Sequence, residues 1–302
     1  ASEDLGKRSK ESFSSLESMF KSPYQWILNY KARLRSSPLS KISDDNILKG
    51  NLIHHLYELF FQQNTHVLLD ATLNTEEVHR WFDTTFVQLL HEEGLVLLQP
   101  GRAIEMAEVE EIARNSLFEF IKQLRAAKVI EIEMEGYNEG HFFGGTLSGY
   151  IDARVVNEEG VEAIIDIKWG GKKYREDSLR ENEHLQLVTY SFLRGQKLKS
   201  QGWPTVAYFI IVDAVMLSQS SEYFPKAVVV NNNAEENIKQ VWHRMKNTWD
   251  WRQGQIKQGL IEVTIGNTEP DASSQPGEDG LELPDSNDYY NDYAVLTGWR
   301  KS

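Results

Sequence analysis

Cysteine is absent from this chain of 302 residues. Its absence excludes disulfide bridges, zinc sites built on thiolates, iron–sulfur clusters held by cysteine, and a cysteine nucleophile. A chain without thiol chemistry fits a reducing compartment, and we therefore expect a cytoplasmic protein.

Long apolar runs and an excess of basic charge are missing as well. No stretch reaches the roughly 18 to 20 apolar residues that a membrane-spanning helix needs. The formal net charge is −13, so broad wrapping of a nucleic acid duplex is not expected, because phosphate contacts need clustered Lys and Arg. A basic groove in an otherwise acidic enzyme stays compatible with this charge. The 40% of hydrophobic residues and 11% of aromatic residues predict a chain that is mostly folded.

The spacing of apolar residues divides the chain into a helical first part and a mixed second part. The predicted helices span 12–30 in two pieces separated at Pro23, then 47–61, 75–93, 102–127, 178–198 and 234–258. The predicted strands span 129–134, 144–156, 161–169 and 205–217. This order predicts an α/β or α+β fold with a helical lobe in front.

Composition sets the predicted domain boundaries. We expect a disordered N-terminal segment (1–11), a helical lobe (12–128), a core that contains the sheet (129–265), a flexible acidic loop (266–288) and a C-terminal docking segment (289–302). The chain begins with Ala instead of Met, which fits a domain taken from a longer protein.

Charged residues interrupt two predicted strands that are otherwise apolar. Asp152 follows Gly-Tyr-Ile in the first strand, and Asp166 and Lys168 end the second. Residues two apart on a strand share a face, and pairing across a turn at 157–160 can bring Asp152 beside the other two. A surface salt bridge is the simplest interpretation of Asp-x-Lys alone. In a strand buried on both faces, the charges favour carboxylates that hold Mg²⁺, with Lys168 placed to orient or deprotonate a water that attacks a phosphodiester.

Five motifs, in this order, resemble those of the PD-(D/E)XK nucleases, and more narrowly the RecB-type group. That group includes the nuclease domains of the bacterial helicase–nuclease complexes RecB and AddB. The motifs are Ser22-Pro23-Tyr24 after an opening helix, Gly50-x-x-x-His54, Gly149-Tyr150-Ile151-Asp152, Asp166-Ile167-Lys168 and Gln186-x-x-x-Tyr190. The resemblance extends over nearly the whole chain. It implies a restriction-endonuclease-like core, with a mixed central sheet flanked by helices, behind the helical lobe.

The resemblance also implies the residues of the site. His54, Asp152 and Asp166 are the expected metal ligands, and the backbone carbonyl of Ile167 contributes a further oxygen. Lys168 is the expected catalytic lysine, acting with the two aspartates. The implied cofactor is Mg²⁺ or Mn²⁺.

Three further positions belong to the expected site. Gln186 and Tyr190 lie one helical turn apart and are expected to support the site or to touch the DNA backbone. His55 competes with His54, but neighbouring helical residues point about 100° apart, so only one can face the metal. Glu133 is a candidate acidic accessory residue on the strand before the hairpin. A solvated strand face is the alternative for Glu133.

A basic and aromatic segment follows Lys168. Its candidate DNA contacts are Trp169, Lys172, Lys173 and Arg175, because Lys and Arg contact phosphates and Trp stacks on unpaired bases. A plain solvated loop is the alternative. Nothing in the sequence resembles a recognition helix, so readout of base sequence is not expected.

One departure from the RecB-type pattern concerns cysteine. Many members of that group hold a 4Fe–4S cluster on four cysteines, and here Ser22 stands where the first would precede Pro-Tyr. Without sulfur ligands we expect no iron–sulfur cluster. Packing of Tyr289, Tyr293 and Trp299 against the N-terminal helices is the expected replacement.

These features together predict a metal-dependent DNA nuclease. We expect an exonuclease or a single-strand endonuclease that acts on single strands or DNA ends. Its expected partners are DNA and a helicase or other DNA-processing subunit, with no membrane. Two alternatives stay open: an inactive nuclease fold that only binds DNA or a partner, and an RNA-directed or defence nuclease. The joint presence of His54, Asp152, Asp166 and Lys168 favours the active enzyme.

Overall fold

The computed structural model describes residues 5–6, 8–34, 45–198, 202–230, 238–263, 275–283 and 293. The chain forms two compact units. Unit 1 comprises Ala1–Ile42, Glu139–Gly149 and Glu236–Ser302, and unit 2 comprises Ser43–Asn138 and Tyr150–Glu235. The domain boundaries inferred from the sequence stay predictions.

Apart from the two-residue strand β1, the first part of the described chain is helical, and the second part mixes strands and helices. The elements are β1 (Lys10–Glu11), α1 (Phe13–Lys21), α2 (Pro23–Trp26), α3 (Asp45–Asn64), α4 (Thr75–Glu92), α5 (Ala103–Ala126), β2 (Val129–Phe142), β3 (Gly145–Asn157), β4 (Glu162–Lys168), α6 (Lys172–Arg180), α7 (Leu185–Leu198), β5 (Thr205–Ile210), β6 (Val215–Ser218), β7 (Val228–Val229) and α8 (Ile238–Lys257). A turn of π-helix (Ile27–Lys31) extends α2, and a 3₁₀ turn (Thr65–Leu68) follows α3.

Unit 1 contains the two short N-terminal helices and the last helix. Ser12 and Ser15 cap α1 reciprocally, because each hydroxyl accepts the backbone N–H of the other residue. Pro23 begins α2, at a position where a helix needs no N–H donor, so the two helices separate there as predicted. The buried Arg252 of α8 donates Nε and Nη2 to the Phe20 carbonyl at 3.0 and 2.7 Å. This satisfies one of the last carbonyls of α1.

The core of unit 2 lies between its long helices and its sheet. Tyr57 of α3 is fully buried, stacks on Phe120 of α5 at 5.3 Å between ring centroids, and donates its hydroxyl to Ser116 Oγ at 2.8 Å. Burying a side chain of this size stabilises the fold by about 2 to 3 kcal/mol. The same core includes apolar residues from three central strands: Ala153, Val155, Ile165, Ile167 and Phe209.

The sheet mixes parallel and antiparallel pairs. In unit 2, β3 pairs antiparallel with β4, β4 parallel with β5, β5 antiparallel with β6, and β6 parallel with β7. β2 pairs with β3, and in unit 1 β1 pairs in parallel with the first residues of β3. β4 is buried from Glu162 to Ile167, as expected of a strand covered on both faces. A mixed sheet flanked by helices confirms the predicted fold class.

Two predicted elements are each split in the structure. The stretch 205–217 is two strands, because a turn through Ala214 with φ of 48° reverses the chain between β5 and β6. The turn comprises residues 211–214, in which Ile211 is buried whereas Val212 and Asp213 are exposed. Ile211 and Val212 continue the apolar run of β5, so the sequence pattern extended the strand across the turn. The predicted helix 178–198 is the end of α6 and then α7, separated where Asn182 takes a φ of 57°. Positive φ interrupts a right-handed helix.

Most of the C-terminal predictions lie outside the described residues. From the docking segment, Tyr293 is described: it is buried, and its hydroxyl donates to the Leu34 carbonyl. The other residues predicted to pack there lie outside the described ranges: Tyr289 and Trp299. Within those ranges, no helix combines the length and the apolarity that crossing a bilayer requires.

Candidate metal centre

The end of the β3–β4 ladder places two aspartates together. The last paired residues toward the site are Ala153 and Ile165. Beyond them the strands separate, and the carboxylate of Asp152 accepts the backbone N–H of Ile167 at 2.7 Å. Asp152 thereby takes the place of a backbone partner, which fixes its side chain against β4.

Lys168 contacts both aspartates. Its Nζ lies 2.8 Å from Asp166 Oδ1 and 3.8 Å from Asp152 Oδ2. Asp166 and Lys168 share one face of β4, as their spacing of two predicts. The structure therefore brings together the three charged residues of the predicted hairpin.

Asp166 is the most deeply buried acid of the group, with 1% of its surface exposed. Among the described residues, its Oδ2 has no hydrogen-bond partner. Burial, and next the negative charge of Asp152, raise the pKa of Asp166 to about 6, although Lys168 and Arg175 oppose the shift. A buried carboxylate with an unsatisfied oxygen is costly unless positive charge reaches it.

His54 of α3 faces the same place from the helical side. Its Nδ1 lies 3.0 Å from Glu135 Oε1, and its Nε2 lies 2.9 Å from the Ile167 carbonyl and 4.0 Å from Asp152 Oδ2. Both closest partners are oxygens that only accept, so the fully bonded ring carries a proton on each nitrogen.

The charges around His54 favour that protonated form. Burial alone lowers the pKa of the imidazole, but the Glu135 hydrogen bond and the negative charge of Asp152 outweigh it, so the pKa is raised. The neighbouring His55 has a different partner: its Nδ1 lies 2.6 Å from Glu93. The helix thus presents His54, and not His55, to the aspartates.

Gly50, one turn before His54, lies where α3 approaches the end of β4. A Cβ atom added to Gly50 would lie 3.7 Å from the Cβ of Trp169, which is ordinary contact. Gly50 therefore lies beside Trp169, which packs against the core of unit 2.

The acidic residue that joins the site from β2 is Glu135. Glu133, which the sequence suggested, bonds Arg154 at 2.7 Å, and Arg154 also pairs with Glu131 and with Glu162. The strand extends to Phe142, well past the predicted 129–134, so Glu135 lies inside the hairpin. Its alternation with Glu133 was visible in the sequence, but which of the two reached His54 depended on the pairing of β2 with β3.

The arrangement of ligand atoms fits a hard divalent cation. The nearest ligand atoms of His54, Glu135 and Asp152 all lie within 4.8 Å of one another. His54 Nε2 lies 2.9 Å from the Ile167 carbonyl and 4.0 Å from Asp152 Oδ2, so these residues would offer one nitrogen and carboxylate and carbonyl oxygens to such a cation. Asp166 lies outside that group of three and is linked to it by Lys168.

Gln186 and Tyr190 lie on one face of α7, near the acids. Gln186 Nε2 donates to the Tyr190 hydroxyl over 3.4 Å. Burial raises the pKa of Tyr190 to about 12, against the effect of the Gln186 hydrogen bond. The negative charges of Asp152, Asp166 and Glu135 contribute to this raised pKa, so the phenol stays protonated.

The segment after Lys168 is only partly a loop. α6 begins at Lys172, after Gly171 takes a φ of 82°, so most of the segment is helical. Lys173 bonds Asp177 within the helix at 2.7 Å. Arg175 lies over the ring of Tyr208 at 5.3 Å, and its positive charge reaches Asp166.

A mixed sheet that ends in two aspartates and a lysine, with a histidine facing them, defines a class of hydrolases that cleave phosphodiester bonds with a divalent metal. The chain belongs to the PD-(D/E)XK nuclease superfamily, whose family model matches residues 10–258. This confirms the superfamily inferred from the five motifs. The nucleases of this superfamily use divalent metals, and the His54, Glu135 and Asp152 group is a place for one.

Similarity to solved structures is distant. A crystal structure from Eubacterium rectale, of a protein named "Putative exonuclease", aligns with 13% sequence identity over 87% of this chain and 85% of that chain, with a TM-score of 0.43. No curated protein sequence matches this chain.

Proposed function

We propose that this protein is a metal-dependent deoxyribonuclease of the RecB type that works without an iron–sulfur cluster. The observation that carries the proposal is the convergence of His54, Asp152, Asp166 and Lys168 in unit 2, with Lys168 Nζ 2.8 and 3.8 Å from the two carboxylates. An inactive fold has no physical need for a buried aspartate with an unsatisfied oxygen, since such a group destabilises the protein. The Gln186-x-x-x-Tyr190 motif supports the RecB-type assignment.

In this proposal His54, Asp152, Asp166 and the Ile167 carbonyl hold Mg²⁺ or Mn²⁺. Glu135 accepts a hydrogen bond from Nδ1–H of His54. Nε2 would then lose its own proton and offer its lone pair to the cation. The bound cation polarises the phosphodiester and lowers the pKa of the attacking water.

Lys168 orients that water by donating a hydrogen bond to its oxygen. Its ammonium is held by Asp166 at 2.8 Å, so it lies at the edge of the ligand group and not within it. Gln186 and Tyr190 position the substrate backbone, since the protonated Tyr190 phenol is a donor beside an acidic cluster. A donor there can hold a phosphate oxygen that the carboxylates would otherwise repel.

The proposed substrate is DNA, either a single strand or an end. Arg175 and Lys172 of α6 are the proposed phosphate contacts, because α6 begins four residues after Lys168 and Arg175 is close enough to act on Asp166. Lys173 is a weaker candidate, since it bonds Asp177. Trp169 packs on the core and is a weaker candidate for stacking. A helicase or other DNA-processing subunit is the proposed partner.

A cleavage panel tests the proposal. Wild type is incubated with Mg²⁺ or Mn²⁺ and with linear single-stranded, linear duplex and circular single-stranded DNA, and with RNA of the same length. We expect metal-dependent cleavage of single-stranded DNA that Asp166→Ala abolishes. Cleavage of circles would identify an endonuclease, and preference for RNA would overturn the substrate assignment.

Calorimetric titration with Mn²⁺ separates the enzyme from an inactive binding module. We expect one Mn²⁺ site in the wild type, weakened strongly in His54→Ala and little affected in the matched control His55→Ala, whose side chain bonds Glu93 instead. Absence of Mn²⁺ binding together with retained DNA binding would support the module and contradict the nuclease.

A further inference from the structure

Two exposed tyrosines form a pair on the β2–β3 hairpin. Tyr137 is 48% exposed and Tyr150 is 59% exposed, and their ring centroids are 5.4 Å apart with 59° between the planes. Both residues lie in unit 2. A pair of large aromatic rings that stays open to solvent gains little from burial, so its stabilising effect is that of a cross-strand contact.

The register of the hairpin places this pair beside the metal centre. A two-residue connection joins β2 to β3, so the strands run antiparallel. Arg154 contacts Glu133, and Tyr150 contacts Tyr137. The two contacts are therefore four residues apart on each strand. Between these two contacts, Asp152 lies two residues from Tyr150, and Glu135, with a φ of 50°, lies two residues from Tyr137.

Each tyrosine is therefore two residues along its strand from an acidic residue of the candidate metal centre. Two residues of a strand span about 6.8 Å. The exposed rings therefore lie about one nucleotide away from a phosphodiester bound at the group of His54, Glu135 and Asp152. On the other side of the acids, Glu133 is paired with Arg154, so the open aromatic surface lies on one side only.

We propose that Tyr137 and Tyr150 form a platform on which an unpaired base stacks next to the phosphodiester that is cleaved. The inference rests on the nuclease function proposed above and adds a preference for single strands. Aromatic rings accept any base through its face, whereas the bases of a duplex are already stacked and cannot lie on the hairpin.

The test compares Tyr137→Leu/Tyr150→Leu with the matched variant Tyr137→Phe/Tyr150→Phe. Substrates are a single-stranded oligothymidylate and an oligonucleotide of the same length with abasic sites. We expect the leucine variant to raise KM for oligothymidylate by about 5- to 150-fold with little change in kcat. The phenylalanine variant keeps the ring faces and should stay near wild type. On the abasic strand, wild type and both variants should behave alike.

Two results would overturn the platform: an unchanged KM in the leucine variant, or an equal loss on the abasic strand. Thermal unfolding of each variant shows whether a change reflects folding, since both positions are exposed. Failure of the nuclease proposal appears differently, as no cleavage by wild type or full cleavage by Asp166→Ala. In that case fluorescence anisotropy with labelled oligothymidylate decides the platform, and the leucine variant should bind about 5- to 150-fold more weakly.

Discussion

Replacing Glu135 with glutamine tests whether the Glu135 carboxylate orients His54 for metal binding. The substitution keeps the shape of the side chain and removes a negative charge that lies 3.0 Å from His54 Nδ1. Loss of a carboxylate that orients a metal-binding histidine typically weakens metal affinity by about 10- to 100-fold, or about 1.4 to 2.7 kcal/mol. The Glu135 side chain is 32% exposed, so solvent screens part of the interaction. We expect a weakening near the lower limit, about 10-fold.

The assay is calorimetric titration with Mn²⁺, and Glu133→Gln is the matched control. Glu133 lies on the same strand but pairs with Arg154, so its loss should leave the Mn²⁺ affinity unchanged. Wild-type affinity in Glu135→Gln, or equal weakening in both variants, would refute the positioning role. A loss far above about 100-fold would show that Glu135 is itself a ligand.

Further predictions concern the role of Lys168, the pH dependence of Mn²⁺ binding and the effect of the buried Asp166 charge on stability. Lys168→Ala should lower single-turnover cleavage by about 10²-fold or more while the protein still folds and binds Mn²⁺, and full activity would remove Lys168 from the mechanism. Its metal-free thermal midpoint should fall, because Asp166 loses the ammonium that lies 2.8 Å away. Mn²⁺ should bind more tightly as pH rises through about 6, because the raised pKa values of Asp166 and His54 make protons compete with the cation; titrations at several pH values measure this, and a flat profile would contradict it. The raised pKa of Asp166, from 3.8 to about 6, means that the metal-free fold loses stability as pH rises through this range, by about 3 kcal/mol. Asp166→Asn should therefore raise the thermal midpoint in EDTA at pH 8. The expected gain in the free energy of unfolding is about 2 kcal/mol, because the substitution also weakens the contact with Lys168. An unchanged or lower midpoint would show that burial of the Asp166 charge does not destabilise the fold.

The sequence predicted the parts of the centre that depend on local pattern. Asp152, Asp166 and Lys168 stood out because they are charged residues in strands that are otherwise apolar, and a spacing of two on a strand fixes a shared face. His54 stood out through its Gly50-x-x-x-His context, and the structure turns this histidine, and not His55, toward the aspartates.

What the sequence could not supply was pairing between elements. Glu133 and Glu135 have equivalent spacing in the sequence, but in the structure Glu135 takes a φ of 50° and contacts His54, whereas Glu133 bonds Arg154. The exposed tyrosine pair has the same origin, since its two members are 13 positions apart in the sequence and meet only through the hairpin register. The turn before β6 was missed because Ile211 and Val212 continue the apolar run of β5, although Val212 and Asp213 are exposed in the structure.

Anomalous X-ray scattering from crystals grown with Mn²⁺ tests the central claim most directly. The account predicts one strong peak within coordination distance of His54 Nε2, an Asp152 carboxylate oxygen and the Ile167 carbonyl, with the Asp166 carboxylate turned toward it. A map without a peak there, or with Mn²⁺ bound only elsewhere on the protein, would contradict the proposed metal centre and the nuclease mechanism that depends on it.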